Sequence, residues 1–83
     1  MVMIKLTSLN ELGDLVLLKD LKKNKKFFII IREDEPLVLS FIVKPFVLKR
    51  INVWDLEFSI NRTLRNLGAE LNKDYTLEVL NNE

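Results

Sequence analysis

A chain of 83 residues makes one domain, and a domain this short buries only roughly 60% of its unfolded surface, so its core needs support from disulfides, a metal or a partner. It contains no Cys and no His, which excludes disulfides and thiolate metal sites and removes the commonest metal ligand and general base; a partner is the support that remains. Thirteen basic residues stand against twelve acidic ones, so overall charge gives no ground to expect nucleic acid or a membrane surface.

Met1 to Leu6 is short and apolar-rich, and reads as an edge or starting strand. Ser8 and Glu11 then stand three apart, the spacing of a capping box, which predicts a helix from about Leu9 to Lys23. Gly13 weakens that helix by about 1 kcal/mol relative to Ala. Leu15-Val16-Leu17-Leu18 shows no clean helical stripe, so a strand competes there. Lys22, Lys23, Lys25 and Lys26 close the element with charge suited to a helix C-terminus.

Phe27 to Ile31 and Leu37 to Val43 are two β-rich runs divided by Arg32-Glu33-Asp34-Glu35-Pro36, the pattern of a hairpin. Pro45 ends the second run. From Phe46 to about Leu71 the period becomes helical, with Val53, Leu56, Ile60, Leu64, Leu67 and Leu71 on one face. Asn52, with Asp55 three residues on, is an alternative start, and Gly68 is a candidate end. Lys73 to Leu80 alternates as a half-buried strand does. The expectation is a single α+β domain over residues 1–80, an antiparallel sheet with two helices on one face in the order β-α-β-β-α(-β), and a frayed 81–83.

Neither hairpin strand alternates cleanly between apolar and polar residues, as a sheet with one wet face should. Phe28, Ile30, Leu39 and Phe41 are therefore candidates for dimerisation; the competing expectation is that the last segment folds over that face. The second helix carries an additional apolar stripe, Val47, Ile51, Trp54 and Phe58, at spacings of four, three and four. A helix apolar on two sides is enclosed on two sides, so these four are candidate partner contacts, with Trp54 either an anchor or a core residue. Should the helix start only at Asn52, the stripe shrinks to Trp54 and Phe58.

Lys19, Lys22, Lys23, Lys25 and Lys26, with Lys44, Lys49 and Arg50, form a candidate nucleic-acid surface, lacking exposed aromatics for base stacking unless Phe27 turns outward; solvated helix-end charge is the plainer explanation. Arg62 and Arg65 read as surface charges paired with Glu70 or Asp55. Glu33, Asp34 and Glu35 lack calcium-loop spacing and read as a solvated turn. With no nucleophile–base pair and no Gly-rich phosphate loop, neither catalysis nor a cofactor or metal is expected. No apolar run approaches the ~18 residues of a membrane span, and Met1 to Leu6 has no signal-peptide pattern, so a cytoplasmic protein is expected. The lack of Gln and the single Ala point to an AT-rich genome, and the charge content loosely to a heat-tolerant one.

The strand Leu37-Val38-Leu39-Ser40-Phe41-Ile42-Val43, leading into a helix opening with Leu48, Arg50, Asn52 and Val53, resembles the small dimerisation subunit of the KEOPS complex. Leu18-Lys19-Asp20-Leu21 is similar to the end of that family's first helix. The resemblance runs from about Met3 to Leu67, and Pro45 and the segment Asp74 to Leu80 depart from it. It implies a non-catalytic homodimer, or heterodimer with a paralogue, whose helices pack on a larger synthase subunit. Such a complex places a threonylcarbamoyl group on adenosine of tRNA, which would bring tRNA within contact.

Overall fold

The computed structural model describes residues 1–20 and 25–81. Four strands form one antiparallel sheet: β1 (Val2–Ser8), β2 (Phe28–Glu33), β3 (Val38–Val43) and β4 (Tyr75–Asn81), in the spatial order β2-β3-β1-β4. Among the described residues three helices accompany them: α1 (Glu11–Asp20), the single-turn α2 (Pro45–Leu48) and α3 (Val53–Asn66). The α+β class and the hairpin are as expected from the sequence. β1, however, is a central strand and not an edge, because β4 returns to pair with it from Val2↔Asn81 to Ser8↔Tyr75.

The core lies between one face of the sheet and the helices. Ile4, Leu6, Leu39, Phe41 and Val43 from the strands are buried with Val16 and Leu17 of α1 and Leu56, Ile60 and Leu64 of α3. Phe28 meets Phe41 edge to face, with ring centroids 5.2 Å apart, a favoured aromatic geometry. Strand alternation sends the remaining residues to the opposite face.

The cap of α1 differs from the expected one. The Asn10 side-chain oxygen accepts from the Gly13 amide at 2.9 Å, while the Ser8 hydroxyl donates to the Asn10 carbonyl. Ser8 still belongs to β1 and is buried, so it stands two residues too early to cap the helix. The predicted extension of α1 beyond Asp20 lies outside the described residues.

The second long helix is also shorter than its periodicity suggested. Pro45 opens α2, and the chain turns at 49–52 before Asn52 caps α3 by accepting from the Asp55 amide at 2.9 Å. At the other end Gly68 has φ +101, a left-handed position that glycine takes without steric cost. The Ala69 amide donates to the Leu64 carbonyl and the Gly68 amide to the Arg65 carbonyl, the paired bonds of a Schellman stop. A loop then leads into β4.

Candidate functional site

Local geometry splits the second apolar stripe. With α3 starting at Val53, Val47 belongs to α2 and is 2% exposed, and Ile51 packs against the core from the intervening turn. Those two expected partner contacts are therefore internal packing. Trp54 and Phe58 remain: they are 81% and 67% exposed, one helical turn apart on the side of α3 away from the sheet. At 100° per residue, Leu56, Ile60 and Leu64 define the inward side, and Trp54 and Phe58 lie more than 100° around from its centre.

The same outer side continues through Asn61, Arg62 and Arg65. With Phe58 and Asn66 they line a shallow groove of about 360 Å³. Neither arginine has a carboxylate within ion-pairing distance among the described residues, so the expected pairing with Glu70 or Asp55 is not made; the ion pair that is present joins Arg32 to Asp34 at 2.9 Å in the hairpin turn. The outer side of α3 is thus aromatic at its first half and cationic at its second. In the sequence Arg62 and Arg65 read as paired surface charges and not as part of a site. Their spacing from Phe58 (four and seven residues) was the available signal.

The hairpin residues expected at a dimer interface occupy the other side of the sheet from any free surface. Phe28, Leu39 and Phe41 are 3%, 0% and 1% exposed beneath the helices, and Ile30 packs against the same cluster. They are committed to this chain's own core. What the hairpin presents outward is Ile29, Ile31 and Ile42. Cross-strand register aligns Ile29, Ile42, Met3 and Leu80 in one apolar row across all four strands. The next row, Ile31, Ser40, Lys5 and Glu78, is mostly polar. The last segment does not cover this face, since β4 extends the sheet at its edge.

Of the basic cluster, Lys25, Lys26 and Arg50 are exposed, and Lys22 and Lys23 lie outside the described residues. The Lys26 ammonium sits 5.8 Å from the centre of the Phe27 ring. Phe27 itself is half-buried, packed in part against the core.

The polar groups that are buried are engaged. Both carboxylate oxygens of Asp74 accept hydrogen bonds, one from the Asn10 side-chain amide at 2.8 Å and the other from the Glu70 backbone at 2.9 Å. The Glu70 bond first, then that from Asn10, hold its pKa below the ordinary carboxylate value. The Tyr75 hydroxyl donates to the Asn61 side-chain oxygen at 2.7 Å. Burial, and secondarily the charge of Asp74, raises its pKa. This network ties the start of α1 and the middle of α3 to the start of β4; its hydrogen bonds are spent on architecture. Among the described residues no cluster of acidic, His or Cys side chains could hold a metal ion, and no helix is long and apolar enough to cross a membrane.

Compared with known proteins, the chain matches no family model, no curated protein and no solved structure.

Proposed function

We propose that this protein is a non-catalytic interaction subunit whose docking surface is the outer side of α3. The observation that carries this is the exposure of Trp54 and Phe58 side by side on a helix whose other side already fills the core. Large aromatics dominate interface energetics because removing them from water returns about 1.5–3 kcal/mol each. The neighbouring arginines add direction, since a guanidinium recognises carboxylates and stacks on aromatic faces.

Within this proposal, the KEOPS-like stretch from Leu37 to Val53 makes the larger synthase subunit of such a complex the first partner to test, in a cytoplasmic tRNA-modifying assembly, although its expected helix opening spans the end of α2, a turn and the start of α3. The wild-type chain and a Trp54→Ala/Phe58→Ala chain would be immobilised and presented with that purified subunit. Retention by wild type alone, with unchanged thermal unfolding of the variant, supports the proposal. Equal retention by both chains would sink it. Retention by neither removes the KEOPS assignment.

A second function is favoured by Arg62 and Arg65, which meet no carboxylate among the described residues and lie beside two exposed aromatics. Single-stranded nucleic acid is bound by stacking bases on such rings and pairing phosphates with such cations. On this second reading the nucleic-acid surface is α3, in place of the lysine cluster. Oligonucleotide binding that steepens as salt falls, and is lost on Arg62→Ala/Arg65→Ala, supports it.

A further inference from the structure

Helix α3 is polarised in charge around its exposed aromatics. Asp55 and Glu57 lie in its first half, and Arg62 and Arg65 in its second. Such a helix is complementary to itself when reversed. We propose that the occupant of the outer side of α3 is a second copy of this chain, packed antiparallel about a twofold axis at the level of Ile60. The inference rests on the interaction function above and names the partner at that same surface.

The register follows from the sequence positions. A twofold axis at that level sets Asp55 opposite the partner's Arg65 and Phe58 opposite the partner's Arg62, and sets Trp54 level with the partner's Asn66. Each contact occurs twice, as an isologous interface requires. Each acidic half meets a basic half, and the side chains level with one another include no like-charged pair. A parallel arrangement would set each charge beside its own copy.

The groove fits the same register. Four of its lining residues, Phe58, Asn61, Arg62 and Arg65, are spaced i, i+3, i+4, i+7. That is the outline of a hole that receives one side chain from a facing helix. In the proposed register Phe58 of one copy enters this hole in the other, and reciprocally. The indole of Trp54 then reaches the Arg65 end of the groove, where a guanidinium can stack on it. The volume of about 360 Å³ leaves room for both rings. α1 touches α3, and its Leu15 is exposed. An interface built on one helix and its neighbour belongs to the small, reversible class.

The test reads mass and Trp54 fluorescence together, since Trp54 is the chain's one tryptophan. Sedimentation over a concentration series is expected to show the weight-average mass rising from 9.8 kDa toward a dimer. Trp54 emission should shift to the blue over the same range as the ring leaves water. Asp55→Lys and Arg65→Glu should each weaken self-association about tenfold or more, through two like-charged contacts apiece. An equimolar mixture of the two variants should regain the affinity as a heterodimer, because every facing pair is then opposite in charge. A wild-type chain that stays monomeric at millimolar concentration overturns the inference. So does a dimer indifferent to both substitutions, which would place the contact on another surface such as the Ile29–Ile42–Met3–Leu80 row. Quenching of Trp54 by oligothymidylate without a change in protein mass overturns it in favour of single-stranded nucleic acid. A monomeric wild type that still retains the synthase subunit, with Trp54→Ala/Phe58→Ala losing it, ends the self-docking inference while the interaction function stands.

Discussion

Gly13 is the position where the structure most plainly reverses what helix propensity alone would recommend. Ala in its place would favour the α1 helix by about 1 kcal/mol. A Cβ built there, however, overlaps the Asp74 carbonyl oxygen and lies 3.1 Å from its carbon and 3.0 Å from the Ser8 hydroxyl. That carbonyl accepts from the Leu9 amide at 2.9 Å. Asn10 also reaches across to Lys73 and Asp74 at 3.2 and 2.8 Å. Making room for the methyl means backing the loop before β4 away from α1, against bonds worth about 1 kcal/mol each. Overpacking of this kind costs about 1–3 kcal/mol. With two or three of those bonds weakened and the propensity gain subtracted, Gly13→Ala should destabilise the domain by about 1–3 kcal/mol. At roughly 4–8 °C per kcal/mol for a domain of this size, the melting point should fall by ~5–20 °C. The assay is equilibrium urea unfolding followed by far-UV circular dichroism, with the slope unchanged and the midpoint lowered. Gly68→Ala is the informative contrast: no atom lies within 4 Å of its added Cβ, and only the φ of +101 opposes it, at about 1–2 kcal/mol. A Gly13→Ala protein as stable as wild type, or more so, would refute the close approach of α1 to Asp74.

Two further outcomes follow from the same network. The Asp74 carboxylate has a folded-state pKa below its unfolded value of 3.8, so its contribution is present above that value and is lost as pH falls through the folded pKa. Urea titrations from about pH 5 downward should show wild type losing stability more steeply than Asp74→Asn. Tyr75 shifts upward from 10.0, so its contribution is present below that value and is lost as pH rises through the folded pKa. Tyr75→Phe should cost about 0.5–1.5 kcal/mol at neutral pH through loss of the Asn61 hydrogen bond, and should flatten the alkaline limb of the stability profile.

Much of the local structure was legible in the sequence because short-range chemistry decides it. The hairpin is fixed by two β-rich runs around a polar, Pro-bearing turn. The inward side of α3 is fixed by the recurrence of Leu56, Ile60 and Leu64. Gly68 marks the stop because a left-handed residue is needed there. Where two local signals competed, the structure selected one: Pro45 and the Asn52 cap break the helical stretch from Phe46, and Asn10 displaces Ser8 as the cap of α1.

The candidate site was only half legible. Trp54 and Phe58 were visible as a stripe at helical spacing, but a stripe does not say whether it faces a core or water. Val47 and Ile51 shared the pattern and are internal, because the break between α2 and α3 turns them inward. The strand residues show the same limit. Alternation separates Phe28, Ile30, Leu39 and Phe41 from Ile29, Ile31 and Ile42, yet both sets are apolar, so sequence alone could not tell which set the helices would cover. Composition and spacing determined the α+β class, the hairpin and the order of the strands and the two long helices. The side of the sheet that the helices cover was decided by the tertiary structure, through which apolar areas could be buried together at once. The same packing brought Gly13 against Asp74, residues far apart in the chain, and left the arginines of α3 beside its exposed aromatics.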